Sequence, residues 1–297
     1  MTRDREKIWG AGLSVASNAG LVALKLGVGL RIGSVAIISE ALHSGMDLIA
    51  ALLALFAVRT AAKPADEEHP FGHGKFENAS GTGEALLIFL AAAWIVWEAV
   101  RRLTGHGGAV EQAGAGALVM AASAGVNVVI TPILIRVGKR TDSVALEAEG
   151  LNHLTDVWTS AGVMAGLGLV WLGKRVWGVD LAWLDPVAAI VVAVLIVHAA
   201  YQLTRRAARD LLDVTLPAEE EQWIREFLGS YEAPVYGFHH LRTRKAGSTR
   251  FVEFHLWVAP KMSVEESHAL GDDIVAGIKE RLPETRVIVH VEPYRGK

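Results

Sequence analysis

The sequence predicts a polytopic α-helical membrane protein: six transmembrane helices followed by a small cytoplasmic α+β domain. Three observations carry this. The 297 residues are 52% hydrophobic and only 21% charged. Up to about residue 204 the apolar residues come in blocks long enough to cross a bilayer. From about Asp213 the chain turns polar, and its apolar residues fall into short alternating runs. A membrane unit over 1–209 and a tail over 210–297 are expected.

The spans fall at about 10–30, 34–60, 79–103, 114–136, 144–172 and 183–204. Small residues are abundant, as in Ala50-Ala-Leu-Leu-Ala54 and the run 113–117, and these let helices pack closely in lipid. Asp185-Pro186 reads as an N-cap with proline at the first helical position. The basic start runs straight into further spans, so no cleaved signal peptide is expected.

Lysine and arginine in the short loops give the orientation. One side holds Arg3, Arg5 and Lys7, then Arg59, Lys63 and Lys75, then Arg136, Lys139 and Arg140, then Arg205, Arg206 and Arg209. The other side holds Arg31, then Arg101 and Arg102, then Lys174 and Arg175. The richer side is cytoplasmic, which places both termini and the tail inside, with the bacterial inner membrane as the expected location.

In the tail, PAEEEQWIREFLGS has an acidic first turn and an apolar stripe, so a helix is expected. Val235 to Arg244 and Arg250 to Val258 read as strands joined by a turn at Lys245-Ala-Gly-Ser. Ser263-Val-Glu-Glu is a capping-box pattern opening a second helix to Arg281, and Arg286 to Val291 is a third strand. The order is αββαβ, a two-layer domain.

Several function classes are excluded. A net charge of −3 gives no reason to expect nucleic acid as a partner. With no cysteine there are no thiolate ligands, so a metal must meet imidazole, carboxylate, amide or water. No helix carries H-E-x-x-H, which argues against a membrane metalloenzyme.

The chemistry concentrates in three places. His43 and Asp47 stand four residues apart in the second span, and Asn152 and Asp156 repeat that spacing in the fifth. Residues i and i+4 share a helix face, so two such helices facing each other make a four-ligand site within the bilayer. Two carboxylates neutralise a divalent cation there. The loop after span two offers Asp66, His69 and His73, with Lys75 poised for a salt bridge to the tail. The tail holds five of the eleven histidines: His239, His240, His255, His268 and His290. Of these, His255 and His290 lie in strands, and Glu292 follows His290 on the same face.

The paired spacings, the loop phrase HPFGHGKFE and the tail phrases HHLRTRKAGSTRFVEFHLWV and VIVHVEP together resemble a cation diffusion facilitator along essentially the whole chain. That resemblance implies a homodimer in the lipid bilayer, exporting a divalent metal, usually Zn²⁺, in exchange for protons. It implies a transport site at His43, Asp47, Asn152 and Asp156, and a loop site at Asp66, His69 and His73. It also implies a tail site at His239, His255, His268, His290 and Glu292, and a structural salt bridge between Lys75 and Asp213. The departure from the family's zinc pattern is Asn152, where histidine or aspartate is usual. An amide oxygen is harder than imidazole and favours Mn²⁺ or Fe²⁺ relatively more. His153 lies next to it, about 100° round the helix, and is the alternative ligand. The spacing to Asp156 favours Asn152. A membrane-anchored metal sensor, binding through the tail without transport, is the alternative function.

Overall fold

The structure is a computed structural model and describes residues 2–33, 35–104, 115–172 and 183–296. Lys174, Arg175 and the start of the small-residue run at 113–114 lie outside them. The chain divides into two compact units, Met1–Ala208 and Arg209–Lys297.

Among the described residues the first unit is built on six long helices: α1 (Arg3–Ile32), α2 (Val35–Ala61), α3 (Lys75–Leu103), α4 (Ala115–Thr141), α5 (Val144–Leu172) and α6 (Leu184–Leu211). By length and composition α1, α2, α3, α4 and α6 each contain a stretch fit to cross a membrane. The first half of α5 carries Glu147, Glu149, Asn152, His153 and Asp156, the polar content of a helix that lines a site. α2 turns Leu42, Met46, Leu53 and Phe56 outward, an apolar surface suited to lipid rather than water.

α1, α4 and α6 run longer than their hydropathy implies. α1 begins at Arg3, α4 continues to Thr141 and α6 to Leu211. Hydropathy marks only the part within lipid, whereas helical hydrogen bonding continues into the polar flanks. There the charges pair between helices. Lys7 Nζ donates to Glu77 Oε1 at 2.7 Å, joining α1 to α3. Arg206 Nη1 donates to both Glu147 oxygens at 2.9 and 2.8 Å, and its Nη2 to Asp142 Oδ1 at 2.8 Å.

Two apolar clusters meet at α5. One packs Ala85, Ile88 and Ala92 of α3 with Ala148 and Leu151 of α5 and Ile196 and Ala200 of α6. The other packs Ala11, Val58, Leu134 and Val137 against Ala145 and Leu146. α4 and α5 approach closely through a pair of glycines. A Cβ on Gly138 would stand 2.9 Å from the Glu147 backbone nitrogen, and one on Gly150 would stand 2.7 Å from Ile135 Cγ1.

The second unit is α7 (Ala218–Gly229), β1 (Val235–Ala246), β2 (Thr249–Val258), α8 (Val264–Arg281) and β3 (Thr285–Pro293). The sheet order is β1-β2-β3, with β1 antiparallel and β3 parallel to the central β2. Along β2 the residues Val252, Phe254, Leu256 and Val258 are buried with Ile224 and Leu228 of α7 and Ile274 and Ile278 of α8. Side chains alternate across a strand, so Glu253, His255 and Trp257 stand on the face without helices. α8 opens with a capping box: Ser263 Oγ accepts from Glu266 N at 3.2 Å, and Ser263 N donates to Glu266 Oε2 at 2.8 Å.

The glycine pair yields a test. Gly150→Val or Gly138→Val forces α4 and α5 apart and should destabilise the membrane unit by about 1–3 kcal/mol. Thermal unfolding of the purified protein should show a lower midpoint in either variant than for an Ala substitution at Gly12, where a Cβ meets nothing within 4 Å.

Candidate metal centres

The membrane unit brings α2 and α5 together at mid-length. Ligand-capable atoms of His43, Asp47 and Asp156 all lie within 4.8 Å of one another. Asn152 sits beside them and donates from Nδ2 to Asp47 Oδ1 at 3.4 Å. The backbone carbonyl of Asp47 also accepts from Asn18 Nδ2 at 3.4 Å. His153 points elsewhere. Its side chain is 2% exposed, with Nε2 2.9 Å from Ser14 Oγ and 3.4 Å from Glu149 Oε1, and Nδ1 3.0 Å from Asn127 Oδ1. One residue along a helix is a rotation of about 100°, which explains why these neighbours serve different surroundings.

A cavity of about 110 Å³ adjoins His43, Asp47 and Asp156. Its other lining residues, among them Lys25, Glu40 and Ser123, extend from the site toward the α1–α2 turn. Lys25 Nζ donates there to Ser44 Oγ at 2.9 Å and to Glu40 Oε2 at 3.3 Å. On the opposite side of the site the bundle is closed by the Ala11, Val58, Leu134 and Leu146 cluster.

In the loop between α2 and α3, ligand atoms of Asp66, His69 and His73 also come within 4.8 Å of one another. His73 Nε2 is 3.2 Å and His69 Nδ1 3.4 Å from Asp66. The backbone N–H of His69 donates to Asp66 Oδ1 at 2.7 Å. That bond, with the two imidazoles, holds the Asp66 carboxyl below the ordinary carboxylate value.

In the tail, ligand atoms of His239, His255 and Glu292 form the third such group. Glu292 is 2.9 Å from His255 Nδ1, 3.5 Å from His239 Nε2 and 3.5 Å from His290 Nε2. β2 and β3 pair His255 with His290. A β-bulge assembles the rest. The register of β1 shifts between His239 and Arg242, and His240 takes a φ of 50°. A regular strand would send consecutive side chains to opposite faces, whereas a bulge re-aims one of them. Both His239 and His240 therefore reach His255, with ring centroids 5.0 and 5.1 Å away. His268 stands apart on α8, 79% exposed and 3.6 Å from Asp272. Asp213 accepts from Arg244 Nη1 at 3.4 Å within the tail, while Lys75 opens α3 in the other unit.

The donor sets fit a divalent cation. Each combines imidazole with carboxylate, the pairing Zn²⁺ accepts. His69 Nδ1, 3.4 Å from Asp66 Oδ1, is buried without a hydrogen-bond partner among the described residues, which leaves it open to a metal.

Sequence reasoning passed over Asn127, Ser14, Glu149, Lys25 and Glu40. Three of these are ionisable residues within apolar helices, and that alone is a signal of function. Asn127 and Ser14 carry no comparable mark.

A bundle of long apolar helices that gathers carboxylates and an imidazole in its interior, joined to a compact α+β unit, is the arrangement of a membrane protein that handles cations. The chain belongs to the cation diffusion facilitator family. The model of the cation efflux transmembrane domain matches residues 12–212, and that of the cation efflux cytoplasmic domain matches 216–294. It is 38% identical to the transporter sll1263 of Synechocystis over 95% of this chain and 89% of that one. It is 29% identical to the cation-efflux pump FieF of Klebsiella pneumoniae, over 94% and 90% of the two chains. Metal tolerance protein C1 of Arabidopsis thaliana is 31% identical over 98% of this chain and 63% of its own. The protein is a multi-pass membrane transporter for efflux of divalent cations, from a family of transporters and not of enzymes.

The tail gives a test by pH. Desolvation raises the Glu292 carboxyl, but the hydrogen bond with His255 and the adjacent His239 outweigh it and hold it below its ordinary 4.5. A depressed carboxylate stabilises the fold above its ordinary value, and that contribution is lost as pH falls through the lowered one. Carbon-13 NMR of glutamate-labelled protein should show Glu292 titrating below 4.5, and His255→Leu should move it upward.

Proposed function

We propose that the protein exports Zn²⁺ in exchange for protons, binding the metal at His43, Asp47, Asn152 and Asp156. The convergence of His43, Asp47 and Asp156 within 4.8 Å in two facing helices carries this reading. Two carboxylates balance the charge of one divalent ion in a low-dielectric bundle. Asn152 rather than His153 is the fourth ligand, because its amide already faces Asp47 while His153 is occupied by Ser14 and Asn127. Turning the amide about χ2 presents its oxygen to the metal. Metal and protons compete for Asp47, Asp156 and His43, so binding one releases the other. Asn152 holds metal but takes no proton.

With the N-terminus cytoplasmic, the cavity toward the α1–α2 turn faces outward and the apolar cluster closes the inner side. Alternating access then requires this packing to open inward in a second state with a different preference for metal and protons. Two protomers associate through the tail, whose matching model is named for a dimer. The tail binds metal through His239, His255, His290 and Glu292, with His268 carried over from the family. The loop binds through Asp66, His69 and His73.

Proteoliposomes with an imposed pH gradient test the transport reading. Asp47→Ala or Asp156→Ala should lower zinc flux at least about 100-fold while the protein still inserts, because each removes one of two charges facing the ion. Near wild-type flux in both variants would sink the site. Asn152→His should sharpen the preference for Zn²⁺ over Mn²⁺ in the same vesicles.

Calorimetry tests the tail. His255→Ala with His290→Ala should remove zinc binding sites from the detergent-solubilised protein without abolishing flux. Unchanged stoichiometry would overturn that assignment.

A further inference from the structure

We propose that Asn127 is a positioning residue that commits Asp156 to bind metal through a single oxygen, with His153 holding Asn127 from behind. The inference rests on Asp156 being a transport ligand and adds a determinant of selectivity in α4.

Asn127 is 4% exposed. Its Nδ2 donates to Asp156 Oδ2 at 3.0 Å, and its Oδ1 lies 3.0 Å from His153 Nδ1. An ionised carboxylate only accepts, so the amide nitrogen must face Asp156 and the amide oxygen must face the imidazole. His153 Nδ1 therefore donates. On the far side of the ring, Nε2 is 2.9 Å from Ser14 Oγ and 3.4 Å from Glu149 Oε1. Ser14 and Glu149 are fully buried. The line runs unbroken from the Asp156 carboxylate to a buried wall formed by α1 and α5.

This line fixes the plane of the carboxylate. With Oδ2 engaged by Asn127, Oδ1 is the oxygen available to a cation. One-oxygen carboxylate ligation suits a small four-coordinate ion such as Zn²⁺. Larger or higher-coordinate ions gain more from a carboxylate able to offer both oxygens. A polar bridge that merely joined α4 to α5 would have no bearing on this choice. Gly138 and Gly150 already bring those helices into close contact without it.

The test compares zinc and cadmium uptake by full-length protein in proteoliposomes, with saturation curves for each ion. Asn127→Ala frees the second oxygen. It should raise the KM for zinc about 10- to 100-fold, the usual cost of removing a partner that orients a metal ligand. The KM for cadmium should rise far less, so the zinc-to-cadmium preference falls. His153→Leu, which removes the donor behind Asn127, should move the preference in the same direction. His153→Gln, which keeps a donor, should restore part of it. Should Asn127→Ala fail to insert, the near-isosteric Asn127→Leu and the two His153 variants carry the same comparison. An unchanged zinc-to-cadmium preference in these variants overturns the inference, as does an equal loss for both ions. Asp156→Ala separates the two levels. If that variant still transports, the site reading fails; if it is inactive while the preference is unaltered at positions 127 and 153, only the present inference fails.

Discussion

Two carboxylates side by side inside an apolar bundle are the constraint on which the membrane unit is organised. Each charged side chain at mid-bilayer costs about 2.5–3.5 kcal/mol on insertion scales. A hydrogen bond to a charged group returns about 1.5–3 kcal/mol. One donor per carboxylate nearly balances the cost but leaves an attraction for any cation that arrives. Asp156 receives its donor from Asn127 and Asp47 from Asn152. On the proposed reading the site is tolerable while these amides bridge it and most favourable with metal bound. That balance is what a carrier needs, since a site too well satisfied by the protein would not take up cargo.

The apolar packing serves this polar line. α5 is shared between both core clusters, so its polar first half is braced from two sides. The glycines at 138 and 150 let α4 come near enough for the short Asn127 side chain to span the gap to Asp156. At the flanks, ion pairs such as Lys7–Glu77 and the Arg206 fork join helix ends where the bundle leaves the apolar zone. The tail solves the opposite problem. Its hydrophobic core lies beneath α7 and α8, and the imidazoles of its strands stand on the uncovered face of the sheet. Metal bound there, as proposed, would not require the core to change.

Much of this was legible in the residues themselves. Hydropathy blocks mark the spans because lipid demands about 20 apolar residues in a row. The spacings His43–Asp47 and Asn152–Asp156 mark the polar cluster between α2 and α5 because a helix repeats its face every four residues. The capping box at Ser263 and Glu266 marks a helix start because its hydrogen bonds are local. The polar flanks of α1, α4 and α6 were missed because hydropathy registers the solvent and not the helix.

Sequence alone therefore determined the class of the protein, its two-part organisation and the residue types offered to a metal, all of which depend on local periodicity and composition. Tertiary structure decided what those residues face. It set Asn152 against Asp47 and His153 against Ser14 and Asn127, a choice that depends on the rotation of α5 between its neighbours. It brought His240 beside His255 through a bulge that no alternation pattern announces. It left His268 outside the tail cluster of its own chain. In each case the outcome turns on how one element is rotated or kinked against another, and that is settled by packing between segments distant in sequence.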